Sequence, residues 1–232
     1  MLAVDLGGTK TDFALSAAND PRRILRRATY ASREASSFEQ LLERFLAAGD
    51  ATILASAIGV AGPVRDGRCQ VTNLKWELDQ HELSARIGAP VILVNDLVAF
   101  AHGLAFLAPA ECDELQAGVA DPAGTALLVA VGTGLGVSIL APGDDAERIP
   151  LPSEGGHVEL AARNELEERL LGRIRAQFGR VEAERVLSGS GCPNLYFALR
   201  DERPELARAE TDAAVRRDGS AALARAAEGG DR

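Results

Sequence analysis

The chain has 232 residues, of which 47% are hydrophobic, and carries a formal charge of −9 from 34 acidic against 25 basic side chains. That length allows one large or two modest domains with a sizeable core. Arginines scattered among acids exclude nucleic acid as a partner, and no run reaches the roughly eighteen apolar residues of a membrane span. Met1 leads straight into a strand-like segment instead of a charged-then-apolar signal region, so a cytoplasmic location is expected. Cys69, Cys112 and Cys192 lie far apart with no His or Cys at ligand spacing, which predicts free thiols and no structural zinc. Aromatics, at 4%, are too sparse for base-stacking platforms.

In chain order, residues 2–6 and 12–17 read as strands joined through Gly7-Gly8, and 23–30 as a third strand of the same meander. Ser37 is placed to N-cap a helix over 38–48, whose Phe38, Leu41, Leu42 and Phe45 share one face, with Gly49 closing it. A strand over 52–60 precedes a turn-rich stretch holding Ala61-Gly62-Pro63 and Asp66-Gly67. Residues 79–87 form a short helix ended by Gly88. Val91-Ile92-Leu93-Val94 is too uniformly apolar for an edge strand and reads as a buried parallel one. A helix over 97–107 follows, so Asp96 sits at the carboxyl end of a strand, where open α/β sheets place ligands; it could equally be a helix N-cap.

Periodicity lapses over 109–123, dividing the chain into a first lobe, 1–108, and a second, 109–232. The second restarts as the first began: a strand over 126–131, the turn Gly132-Thr133-Gly134-Leu135-Gly136, and a strand over 137–140, the pattern of an internal duplication. Helices are expected over 164–178, 182–187, 193–199, 204–217 and 220–227.

The two glycine turns are the chemical signal. Glycine tolerates φ > 0 and close backbone approach, so a Gly-rich turn beside a hydroxyl residue can wrap phosphate oxygens; tight hairpins also favour glycine for structural reasons alone. Glu154 and His157 flank Gly155-Gly156, where a loop can aim both at one polyhydroxy ligand or, in a competing reading, at a metal. Trp76, alone after a turn, reads as packing rather than a sugar platform.

Together these pieces resemble the bacterial glucokinases of the hexokinase type, in the superfamily shared by sugar kinases, actin and Hsp70-type ATPases. The resemblance rests on Asp5-Leu6-Gly7-Gly8-Thr9, Ala61-Gly62-Pro63, Thr72-Asn73-Leu74-Lys75-Trp76, Val94-Asn95-Asp96, Gly132-Thr133-Gly134-Leu135-Gly136, Glu154-Gly155-Gly156-His157-Val158 and Glu184-Arg185-Val186-Leu187-Ser188-Gly189. They occur in the family's order, from about residue 2 to 199.

The resemblance implies an α/β, two-lobed ribonuclease H-like (actin-like ATPase) fold with duplicated mixed sheets flanked by helices. It assigns Gly7, Gly8, Thr9 and Lys10 to a first phosphate loop, with Asp5 near Mg²⁺ through water. Gly132, Thr133, Gly134 and Gly136 would form the second loop for ATP. Asp96 would be the general base toward a hexose hydroxyl, with Asn73, Asn95, Glu154, His157 and Glu184 binding the sugar. The expected activity is ATP-dependent phosphorylation of glucose to glucose 6-phosphate. The alternatives are a non-catalytic sugar-binding or regulatory relative and a kinase for another hexose; polyphosphate and ADP stay open as donors.

Members of that family continue into another Gly-rich strand-turn that contacts adenosine, and nothing after Gly219 has this pattern. The resemblance therefore implies weakened nucleotide affinity and uncovered apolar surface favouring a homodimer or low stability.

Overall fold

The computed structural model describes residues 1–71, 74–119, 121, 123–144 and 148–230. The chain folds as two compact units, Met1–Gly118 and Val119–Arg232, and each is described by itself.

In the first unit, β1 (Leu2–Leu6), β2 (Lys10–Ala17) and β3 (Asp20–Ala31) form an antiparallel meander. The helix α1 (Phe38–Leu46) leads to β4 (Ser56–Val60), which pairs in parallel with β1. Three short strands follow, β5 (Val64–Arg65), β6 (Arg68–Gln70) and β7 (Glu77–Asp79), then α2 (Gln80–Ile87), β8 (Val91–Asn95) and α3 (Asp96–Leu104). The five-stranded sheet is ordered β3-β2-β1-β4-β8, antiparallel on one side of β1 and parallel on the other.

The caps follow the local chemistry. The Ser37 side chain accepts from Gln40 N–H at the start of α1, Asp79 accepts from His81 and Glu82 at the start of α2, and Gly88 ends α2 in the left-handed region at φ 74°. The four apolar residues predicted to share the face of α1 are all buried, with Phe13 stacked between Phe38 and Phe45 at centroid distances of 5.9 and 5.0 Å. Each such ring contributes about 1.5–3 kcal/mol through burial. Trp76 is core, its indole N–H donating to Ser36 O at 3.1 Å.

Three differences from the sequence reading have physical causes. The stretch read as turns folds into the antiparallel sheet β5-β6-β7, whose strands of two or three residues are too short to show a period. The strand β8 is parallel to β4 but lies at the sheet's edge: Val91 and Leu93 join the core beside Leu83 and Ile87 of α2, whereas Ile92, on the opposite face, is 53% exposed. The helix α1 ends at Leu46, capped by Ala47 before Gly49 is reached.

In the second unit, β9 (Ala126–Val131), β10 (Leu135–Pro142) and β11 (Arg148–Ser153) make an antiparallel sheet ordered β11-β10-β9. Hairpin β9-β10 repeats the plan of β1-β2, but among the described residues this sheet repeats only the antiparallel part of the first. The strand β11 escaped the sequence reading because Pro150 and Pro152 argue against a central strand; at an edge they are tolerated. Leu127, Val129 and Val131 of β9 and Ile149 and Leu151 of β11 are all exposed, and the register places them on one face of the sheet.

Helices α4 (Glu165–Phe178), α5 (Glu184–Leu187), α6 (Cys192–Glu202), α7 (Ala209–Asp218) and α8 (Ser220–Glu228) complete the unit. Leu170, Leu171 and Ile174 of α4 pack with Val181, Val186 and Ala198 in a second core. Gly172 lies inside α4 with open space where a Cβ would stand. Gly172→Ala is therefore expected to stabilise the chain by about 0.5–1 kcal/mol through helix propensity alone, read as a higher urea midpoint. Among the described residues no helix is long and apolar enough to cross a membrane.

Candidate active site

The first glycine loop is the turn of hairpin β1-β2, closed by a hydrogen bond from Gly7 N–H to Lys10 O of 3.0 Å. Its carbonyls are tied back by one fully buried residue: the Ser32 hydroxyl donates to Gly7 O at 2.7 Å and Ser32 N–H to Thr9 O at 3.0 Å. The Thr11 hydroxyl lies 2.9 Å from that of Ser32. No described residue accepts from the N–H of Gly8 or Thr9. A turn with bound carbonyls and unpaired N–H groups suits an anion. Lys10, the first residue of β2, ion-pairs with Asp12 at 3.0 Å, and the Thr29 hydroxyl also donates to Asp12.

At the end of β8, Asn95 is the N-cap of α3, accepting from Leu97 and Val98 N–H at 3.1 and 3.4 Å. Its amide donates to Gly62 O at 3.2 Å and to Asp96 Oδ1 at 3.0 Å. The cap is thus Asn95, and Asp96 is the first helical residue. Asp96 Oδ1 also accepts from Leu97 N–H at 2.8 Å, which leaves Oδ2 without a partner from another described residue. Gly59 of β4 makes room for this corner: a Cβ there would meet Ala99 Cβ at 3.3 Å and Asp96 Cα at 3.6 Å.

Burial raises the Asp96 carboxyl above the usual aspartate range, against the lowering effect of the Leu97 and Asn95 hydrogen bonds. Asp5, on β1, is also raised, by desolvation first and then by the charges of Asp96 and Asp12, with Lys10 opposing. A carboxylate whose ionisation a second carboxylate opposes is a place where a cation would be welcome.

The second loop, residues 132–134, is built to the same plan. Gly132 N–H donates to Gly134 O at 3.0 Å. Gly189 N–H donates to Gly132 O at 2.8 Å, and Ser190 donates to Thr133 O through its N–H at 3.2 Å and its hydroxyl at 2.9 Å. No described residue accepts from Thr133 or Gly134 N–H. Gly136 lies outside the turn, in β10 opposite Ala130.

Gly7, Gly132 and Gly134 do not adopt positive φ, so what the first and last of them provide is room rather than backbone freedom. A Cβ at Gly7 would stand 3.1 Å from Lys10 O, and one at Gly134 would stand 2.6 Å from Glu184 Oε2.

That second contact marks the junction of loop and cluster. Glu184, the first residue of α5, accepts from Leu135 N–H through Oε2 at 2.8 Å. The Glu154–His157 segment lies on β10, where a Cβ at Gly156 would fall 1.8 Å from Leu135 O. His157 Nδ1 lies 2.8 Å from Glu182 Oε2 and its Nε2 lies 3.8 Å from Glu154 Oε2. The Glu182 hydrogen bond raises the imidazole above its ordinary pKa, with smaller help from the charges of Glu184, Glu182 and Glu154 and against desolvation. Glu182 is correspondingly lowered by His157.

The second unit thus gathers Glu154, His157 and Glu184 beside the second loop, and the first unit gathers Asp5, Asn95 and Asp96. Asn73 lies outside the described residues. Glu182, Ser32 and Ser190 were missed from sequence. Glu182 bridges to Glu159 ahead of α5, a single-residue pairing with no local period to announce it. A cavity of about 710 Å³ beside α4, lined in part by Glu159, Arg163, Asn164 and Arg175, includes none of the expected site residues. Among the described residues no cluster of three or more His, Cys, Asp or Glu could hold a metal ion.

Residues 2–230 match the family model described as Glucokinase. The glucokinase of Synechocystis sp. is 33% identical over 219 residues, covering 88% of this chain and 62% of that protein. That of Paramagnetospirillum magneticum is 36% identical over 203 residues, covering 86% and 62%. Among solved structures, a glucokinase from an Antarctic psychrotroph matches with a TM-score of 0.74 and 30% identity over 88% of this chain and 65% of that one. A glucokinase from Balamuthia mandrillaris, solved in complex with glucose, matches at 0.59 and 25% over 87% and 62%. The chain spans about three fifths of the length of the curated relatives it matches. Its α/β fold is that of the actin-like ATPase sugar kinases, and in sequence and in fold the chain belongs to the glucokinase family.

Proposed function

We propose that the chain carries the machinery for ATP-dependent phosphorylation of glucose, or a closely similar hexose, at the 6-hydroxyl, a first step of cytoplasmic glycolysis. The observation that carries this reading is Asp96: a desolvated carboxyl at a strand end with one oxygen held by Leu97 and Asn95 and the other open. As the sugar oxygen attacks the γ-phosphorus in line, its proton passes to Asp96 Oδ2, the bond from γ-phosphorus to the bridging oxygen breaks, and ADP leaves. A strongly raised pKa is unnecessary, because the hydroxyl becomes acidic as the new bond forms.

The loops at Gly8-Thr9 and Thr133-Gly134 supply unpaired N–H groups for phosphate oxygens, which need no reorganisation when charge shifts. Glu154, His157 and Glu184 supply acceptors and a ring nitrogen for sugar hydroxyls, and an epimer that leaves one of them unmet binds less well. Asn95, its amide engaged at the cap, orients Asp96 and reaches a sugar by exchanging one of those bonds.

The donor set around Asp5 is all oxygen and fits a hard cation that takes its remaining ligands from water and phosphate. Asp5 would hold Mg²⁺ through water, and the ion, when bound, would neutralise charge on the phosphates.

ADP release by the purified chain, coupled to hexose 6-phosphate detection, tests the reading. Glucose-dependent ADP formation is expected, with mannose and amino sugars as comparisons. Glucose binding by calorimetry without any hexose-dependent ADP release would overturn catalysis and leave a sugar-binding protein.

A further inference from the structure

His157 and Glu182 are locked to each other by more than their own contact. Leu160 N–H donates to Val181 O and Ala183 N–H to Val158 O, both at 2.9 Å, so two main-chain bonds fix the segments that carry them. Arg180 joins both residues: its guanidinium donates to His157 O at 2.8 Å and lies 3.6 Å from Glu182 Oε1. The charged groups facing the imidazole are Glu182, Glu154 and Glu184, with Arg180 at its backbone. Glu182 is the one at hydrogen-bond distance, and its side chain is 23% exposed against 91% for Glu154.

We propose that Glu182 is a positioning residue for hexose recognition: by accepting from Nδ1–H it fixes the tautomer of His157 and leaves Nε2 as the ring atom that meets a sugar hydroxyl. The proposal rests on the hexose-kinase reading above. A neutral imidazole has one donor and one acceptor nitrogen, and the partner of one sets the role of the other. With Nδ1–H committed to Glu182, neutral His157 offers Nε2 as an acceptor; once protonated it offers Nε2–H as a donor. Without Glu182 the two tautomers compete, and part of the population presents the wrong nitrogen chemistry to the sugar.

Glu182→Gln tests this, because the amide keeps the shape of the side chain and removes its charge. In the wild type, imidazole nitrogen NMR of the full chain is expected to show the Nδ1–H tautomer and a titration midpoint above 6.5, the ordinary histidine value. The chain has three histidines, so the resonance is assigned by its loss in His157→Asn. In Glu182→Gln the midpoint should fall toward the ordinary value, with both tautomers populated. The glucose KM at about pH 8 should rise about 3–10-fold, an energy on the scale of one hydrogen bond, with kcat within about twofold. Glu182→Asp, which keeps the charge, should retain most of the raised midpoint and serves if the glutamine variant does not fold.

An unmoved His157 titration and tautomer in Glu182→Gln overturns the proposal. So does a shifted titration with an unchanged glucose KM, and in that case the hexose reading stands. Absence of both glucose binding and turnover in the wild type overturns the hexose reading and takes the proposal with it; where glucose binds without turnover, its Kd replaces KM as the readout, with the same rise expected in Glu182→Gln.

Discussion

Asp96→Asn is expected to lower kcat for glucose phosphorylation by about 10²–10⁴-fold and, at neutral pH, to raise the melting temperature. The two effects share one cause. The folded protein holds the Asp96 carboxyl above its ordinary value of 3.8, chiefly through burial, so the folded state binds the proton more tightly than the unfolded chain. For an acid shifted upward, stability is greatest below the unfolded value and declines as pH rises through the interval up to the folded one. Above that interval ionised Asp96 is a standing cost, which asparagine removes. The stabilisation by Asp96→Asn should therefore vanish in melts below about pH 3.8.

Asparagine can still accept from Leu97 N–H, so the corner of α3 is kept and glucose binding should be little changed. Calorimetry and a coupled assay on the same preparation separate these effects. Wild-type kcat in Asp96→Asn would remove Asp96 from the proton-transfer step. Trading stability for a charged group at the reacting atom is the usual cost of an active site.

Gly156→Ala is expected to destabilise the second unit by about 3 kcal/mol or more, because one methyl would be driven into backbone that has nowhere to go. The added Cβ would stand 1.8 Å from Leu135 O and 2.9 Å from Leu135 C. Leu135 cannot retreat freely: it begins β10, pairs with Val131, and gives its N–H to Glu184. Relief must come from lifting the Glu154–His157 segment off the strand, which would also carry His157 away from Glu182. Urea unfolding of the full chain measures the effect, with Gly172→Ala as the matched control that adds the same methyl in open space. A midpoint for Gly156→Ala equal to that of the wild type would show that the segment does not lie against β10.

Much of the fold was legible because its signals are local. The strand-glycine-strand pattern gave both hairpins, the period of Phe38, Leu41, Leu42 and Phe45 gave α1, and Asp79 and Gly88 marked both ends of α2. What escaped has either too few residues to show a period, as in β5 to β7, or partners far away in the chain. Ser32 acts on Gly7 from 25 residues away and Ser190 on Thr133 from 57. No local pattern announces either, although both loops depend on them. Glu182 was hidden differently. A helix from residue 182 would turn that side chain about 200° from Glu184 at 3.6 residues per turn, whereas Glu182 forms an isolated β-bridge with Glu159 and α5 begins only at Glu184.

The bond from Leu135 N–H to Glu184 ties a carboxylate of the cluster proposed for the sugar to the strand that leaves the second loop. In the language of linkage, if a hexose engages Glu184 and an anion engages the loop, any effect of one on the affinity of the other is reciprocal. Whatever factor the first ligand contributes to the affinity of the second must be returned in full by the second to the first. The order in which the two arrive then changes the route and leaves the coupling free energy untouched.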